Sequence, residues 1–180
     1  MKCGRSALAL LPAAFLALAC SGGTGWDPAA TDAPGDPFLD GLVGTWTLTG
    51  SMGETRLRQE VDARWIVRGQ FLRMHFLESG PSAGDVAPYE AVYVLGRDEG
   101  SDEYVLHLFD TFGAGYSRTV GIGTRRGDTL EFLFDYPDGL FSNAFIRESA
   151  GGRWRMLLHA KEGDGWKLFA EKRLSPREGT

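Results

Sequence analysis

Cysteine is scarce in these 180 residues. Cys3 and Cys20 are the only two, and nothing after position 20 can form an intramolecular disulfide. Histidine is nearly as rare: His75, His107 and His159 lie far apart without metal-ligand spacing such as His-Glu-x-x-His, so no metal site is expected. No apolar run reaches the roughly twenty residues that a membrane-spanning helix needs. The candidate run, residues 7–19, is broken by Pro12. Gly115-Tyr116-Ser117-Arg118-Thr119 starts like a nucleophile elbow but lacks the closing glycine and the strand-to-helix setting that exposes such a serine. Gly121-Ile122-Gly123 has no following helix to offer a phosphate its N-terminus, and Arg126-Gly127-Asp128 is accounted for by turn chemistry. With no assembled nucleophile and base, neither an enzyme nor a cofactor is expected.

The N-terminus contains a basic start, Met1-Lys2-Cys3-Gly4-Arg5, then the apolar stretch, then Cys20-Ser21-Gly22-Gly23. That order matches a secretory signal. The ending Ala17-Leu18-Ala19-Cys20 resembles the lipobox of bacterial lipoproteins, with Ala17 where Leu is commoner. The resemblance implies cleavage after Ala19, acylation of Cys20 with chains such as palmitate, and a mature protein anchored in the cell envelope. Ser21 stands where an Asp would favour the inner membrane, which implies the periplasmic face of the outer membrane. Loss of Lys2 and Arg5 with the signal leaves 17 basic side chains against 24 acidic, a formal charge of −7. Such a domain repels nucleic acid and anionic lipid, so the acyl chains must do the anchoring. Residues 20–37, rich in Gly, Pro, Ala and Asp, are expected as lipidated cysteine and linker; 38–176 as one domain; 177–180 as a tail.

Within the domain, apolar residues recur with period two in short runs punctuated by glycine. Ten strands are predicted: 45–51, 55–66, 71–77, 89–96, 103–110, 116–123, 129–136, 141–147, 153–161 and 166–174. Turn-like connections such as Pro137-Asp138-Gly139 join them. The one helical signal is brief, at 36–43, where Asp36-Pro37 reads as an N-cap followed by Pro at the first helical position. Ten antiparallel strands in sequence order make an up-and-down meander, and closing it into a β-barrel removes its exposed edges.

The segment 38–46 with its Gly44-Thr45-Trp46 opening, Gly69-Gln70-Phe71-Leu72, Leu95-Gly96-Arg97-Asp98, and Tyr104 through Phe109-Asp110-Thr111 resemble an uncharacterised bacterial family of lipocalin-like barrels. Those are calycins, distantly similar to nitrobindins and fatty-acid-binding proteins. The resemblance implies that Trp46 packs across the closed end of the barrel. Nitrobindins open with Gly-x-Trp-x-Gly-x-Gly, and Leu48 here replaces the middle glycine. Their haem histidine lies on the last strand, where this chain has none, so haem is not expected. The helical lid of fatty-acid-binding proteins has no room between Gly50 and Thr55.

Opposed residues of a hairpin share a face, so each strand tests the next. The turn 67–70 pairs Trp65 with Leu72, which places Leu57, Val61, Ala63, Trp65, Leu72, Met74 and Phe76 inside and Arg58, Glu60, Asp62, Arg64, Arg73 and His75 outside. On strand nine the same logic puts Trp154, Met156, Leu158 and Ala160 inside. Carried through the turn 162–165, it drives Glu171 and Arg173 inward unless a bulge flips the register. Arg173 is then of interest, because fatty-acid-binding barrels hold a ligand carboxylate with a basic residue of the last strand. His107 sits between two equally apolar faces. The expected function is therefore a lipid-anchored binding module for a small apolar or amphipathic molecule. Its candidate ligand contacts are Trp65, Met74, Phe76, His107, Trp154, Met156 and Arg173. The alternatives are a barrel filled by its own side chains, a hydrolase or isomerase, and a haem-binding barrel.

Overall fold

A computed structural model describes residues 35–79, 88–149 and 151–177; the signal segment and Cys20 lie outside the described residues. A 3-10 turn, Leu39–Leu42, leads into ten strands: β1 Gly44–Met52, β2 Thr55–Ile66, β3 Phe71–Glu78, β4 Glu90–Arg97, β5 Tyr104–Asp110, β6 Val120–Arg126, β7 Thr129–Tyr136, β8 Gly139–Arg147, β9 Trp154–Glu162 and β10 Gly165–Pro176. Each pairs antiparallel with its sequence neighbours, and β1 pairs with β10 to close the barrel. Every strand lies between Gly44 and Pro176, and the buried residues begin at Asp36. Among the described residues no helix is long and apolar enough to cross a membrane.

Period two builds the core. On β3, Leu72, Met74 and Phe76 are fully buried, while Arg73 and His75 are part-exposed on the other face. On β7, Leu130, Phe132 and Phe134 face inward between exposed Glu131, Leu133 and Asp135. Trp65 opposes Leu72, as the four-residue turn requires. The inner stripe of β6 is glycine instead: a Cβ on Gly121 or Gly123 would stand 2.6 Å from the rings of Phe134 and Phe132, which fill that space.

Two places depart from the alternation read in the sequence. The sixth strand begins at Val120, and Tyr116–Arg118 is a 3-10 turn. Gly113, at φ +91°, turns the chain after Asp110, and the Tyr116 ring packs edge-on to Tyr136 with centroids 5.5 Å apart. Pairing of β5 with β6 consequently runs only from Tyr104 opposite Gly123 to His107 opposite Val120. Leu108, Phe109 and Asp110 have no β6 partner, which opens a gap at one end of the barrel. The second departure is a bulge in β10. Leu168 opposes His159 and Ala170 opposes Leu158, so Phe169 is extra and the register flips. Beyond it, Ala170, Lys172 and Leu174 face inward and are buried, whereas Arg173 is exposed.

The end near the 3-10 turn is the floor. Asp36 acts as the expected cap: its Oδ1 accepts the Phe38 and Leu39 backbone N–H at 2.8 and 2.9 Å. Its Oδ2 accepts the Tyr104 hydroxyl at 2.8 Å. Trp46 donates Nε1–H to Leu42 O at 2.8 Å, and Trp154 donates to Gly41 O at 3.0 Å. The Phe38 ring meets Trp154 edge-on at 5.0 Å, with the Arg125 and Arg147 guanidinium groups over it at 4.8 and 4.9 Å. Trp46 thus belongs to a hydrogen-bonded plug across the closed end.

Candidate binding site at the barrel mouth

The opposite end differs in chemistry. Phe169, left over by the bulge, meets Phe141 edge-on at 5.4 Å; Phe141 meets Tyr136 at 6.3 Å; Tyr136 stacks on Phe134 at 5.4 Å and touches Tyr116. Beside the gap, Tyr89 and Phe112 are 5.9 Å apart. These rings form a collar, and Phe112 is 70% exposed. Large aromatic surface left in water at one end of a barrel is the kind of feature that marks a binding region.

Below the collar lie polar side chains in the apolar stripe. Gln59 is 2% exposed and its Oε1 has no hydrogen-bond partner. Asn143 is completely buried; neither its Oδ1 nor its Nδ2 is paired, and although it reaches toward the Tyr93 hydroxyl no hydrogen bond of acceptable geometry forms. Lys172 is buried opposite Gly50 on β1 and Met156 on β9. Leaving water pushes its ammonium down from 10.5 to about 8, and the attraction of Asp110 offsets part of that shift. Asp110, facing inward on β5, has its carboxyl raised by burial, against hydrogen bonds from Phe112 N and Tyr89 Oη. Tyr136 is pushed up to about 12, and Tyr89 and Tyr93 are raised as well, chiefly by burial. One lysine, one aspartate and three phenols are therefore buried or half-buried between the collar and the floor.

The structure separates the residues singled out from the sequence. Met74, Phe76, Trp154 and Met156 lie in the buried core, and Phe76 packs on Tyr93 at 4.5 Å. Trp65 is half-buried at the floor, where it donates to Asp40 Oδ1 at 2.8 Å beside a cleft of about 470 Å³ that Asp36 and Arg97 also line. His107 lies on the outer face, opposite Val94 and Val120. Arg173 also points outward, 3.7 Å from Glu148, because the bulge turned its strand over. Its place is taken by Lys172. The other two histidines are on the outer face, His75 lying 2.6 Å from Glu90. Among the described residues no group of His, Cys, Asp and Glu could hold a metal ion.

The unanticipated members of the site are Gln59, Asn143, Lys172 and Asp110. Parity marks three of them: Gln59 falls between Leu57 and Val61, Asn143 between Phe141 and Phe145, and Asp110 follows Leu106 and Leu108, whereas Lys172 joins an inward stripe only because the bulge at Phe169 turns its strand over. No protein-family model matches the chain, and no curated protein does.

Proposed function

We propose that this chain is a lipid-anchored binding protein of lipocalin-like architecture whose barrel mouth takes up a small apolar or amphipathic molecule. The observation that carries the reading is the set of unpaired polar atoms on Gln59 and Asn143, buried with Lys172 under an aromatic collar. A buried polar group without a partner costs about 1–3 kcal/mol, and a buried charge costs more. Groups retained at that cost are supplied with partners by a bound molecule or by water. Aromatic rings above and a few convergent polar groups below match the composition of small-molecule sites.

The test is titration of residues 21–180 with a fluorescent apolar probe, followed by displacement with decanol. Saturable binding at one site per chain is expected, weakened by Asn143→Leu. No binding would leave a barrel filled by its own side chains as the better account. The anchor is tested separately: Cys20→Ala should block acylation and shift the protein out of the membrane fraction. Unchanged fractionation and unchanged mass would end that part of the reading.

A further inference from the structure

We propose that the outer wall of β3 to β7 is an interaction surface that takes a second copy of this chain, forming a weak two-fold dimer. The inference goes beyond the binding site at the mouth and does not rest on it. The solvated face of an antiparallel sheet is ordinarily polar, and the two sides of this barrel's exterior differ. On one side, the row running from β9 across β10 and β1 to β2 reads Arg155, Arg173, Thr49 and Arg58. On the other, the row from β3 to β7 reads Phe71, Gly96, Val105, Ile122 and Leu133. Even its glycine is covered, because a Cβ on Gly96 would stand 2.7 Å from the Phe71 ring. The neighbouring rows add Val94, His107 and Val120, then Val92 and Phe109. No Asp, Glu, Lys or Arg stands among them, and Phe109, Ile122 and Leu133 are 43–47% exposed. A contiguous apolar surface left in water in this way marks an interaction site.

Charge selects the occupant. At the β3 border Arg73 and Arg64 share one carboxylate, that of Asp62, at 2.8 and 2.6 Å, so two cations stand against one anion. At the β7 border Asp135 is exposed, two residues beyond Leu133 on the same face. A two-fold axis lying in the contact plane along β5 lays the β3 border of one copy over the β7 border of the other. It brings Phe71 to Leu133 and Arg73 to Asp135 across the interface, twice by symmetry, and keeps the strands of the two walls aligned. A lipid surface would instead have to take up both charged borders together with the valines. Area sets the strength. Five strands about 4.8 Å apart, each with up to three outward residues, cover roughly 19 by 14 Å. That is under about 300 Å² per copy, against about 800 Å² per partner in a standard stable interface. The dimer is therefore weak, with a dissociation constant in the micromolar range.

Residues 21–180 retain every described element and contain no cysteine, which permits a direct test. Sedimentation velocity from about 1 to about 500 µM should show a shift from monomer to dimer with rising concentration. Ile122→Glu places a charge in the wall and should weaken association at least about tenfold, with thermal melting close to wild type because the side chain it replaces is half-exposed. Thr49→Glu, on the opposite wall, should change neither. His107→Cys, beside the axis, should form a covalent dimer under mild oxidation, whereas Thr49→Cys should not; this pair decides the matter if Ile122→Glu fails to fold. A monomer at every concentration, or equal crosslinking of the two cysteine variants, overturns the dimer. A monomer that floats with phosphatidylcholine vesicles, and ceases to with Ile122→Glu, overturns it in favour of lipid. Apolar-probe binding at the mouth is read separately, so failure of the dimer leaves that reading where it stands.

Discussion

At the floor, the buried carboxylate of Asp36 receives hydrogen bonds from two backbone amides and Tyr104, and Arg97 lies 3.6 Å away. Near the mouth, the equally buried amide of Asn143 has no hydrogen bond, and Lys172 has no contact ion pair. One chain, one sheet and one alternating pattern thus produce two interiors. The floor satisfies its polar groups because a capped turn brings backbone donors and acceptors into the barrel's end. The mouth has no such turn, and the Asn143 amide and Gln59 Oε1 find no partner there. Buried polar atoms that are fully paired specify a structure, whereas unpaired ones weaken it. The difference assigns stability to the floor and, on the proposed reading, binding to the mouth.

The sharpest way to break that division is Trp46→Ala. It removes a ring that is 6% exposed together with the hydrogen bond to Leu42 O, and should destabilise the protein by about 3–5 kcal/mol in chemical denaturation. A near-wild-type midpoint would show that the floor plug is not what holds the closed end.

Lys172→Met should act in the opposite direction. The folded protein holds this lysine near 8 against an ordinary 10.5, a penalty of roughly 3 kcal/mol as an upper bound at neutral pH. Below about pH 8 the side chain is charged whether folded or not, and the penalty applies in full. Between the two values the unfolded chain binds more protons than the folded one, so wild-type stability should rise with pH; above 10.5 both forms are neutral and the penalty vanishes. Lys172→Met should therefore be more stable than wild type at pH 7, and the gap should close by pH 10.5. A lysine whose removal destabilised the barrel would place the mouth in the same class as the floor.

A smaller, matched pair compares polar deletions at the two ends. Tyr104→Phe leaves Asp36 Oδ2 without its hydroxyl donor and should cost about 1–3 kcal/mol. Asn143→Leu replaces two unpaired polar atoms by methyl groups on the same branched skeleton; the polar gain offsets the crowding of the larger methyls, and the change should be near neutral. Thermal melting of both separates the two ends even though each change removes one polar function.

Much of the fold is legible in the sequence. Two strands, 55–66 and 129–136, agree at both ends, and the others except the sixth differ by one or two residues, because alternation and glycine turns are local signals. The inward sets of β2, β3 and β9 follow from parity and from the turn 67–70. The misplaced start of the sixth strand has a tertiary cause: Tyr116 and Thr119 favour strand locally, but Gly113 and the contact with Tyr136 hold the segment in a turn. Gln59, Asn143 and Asp110 were visible as polar residues on apolar stripes. What parity does not state is whether such a residue finds a partner, which depends on strands far away in sequence. Lys172 was hidden for another reason, since its face depends on one extra residue, Phe169.

Arg173 gives the smallest expected effect and tests that bulge directly. Continuous pairing from the turn 162–165 would put Arg173 inside with Glu171, and its loss would then leave a buried carboxylate unpaired at a cost of several kcal/mol. With Phe169 bulged out, Arg173 is instead a half-exposed side chain beside Glu148, and solvent screens the pair. Exposed ion pairs of this kind contribute about 0–1 kcal/mol. Arg173→Ala should accordingly shift the denaturation midpoint little and leave apolar-probe affinity as it was. A loss of stability of several kcal/mol, or a lost probe site, would mean that β10 runs without the bulge. Lys172 would then be an ordinary surface lysine, and the contrast between floor and mouth would lose its cation.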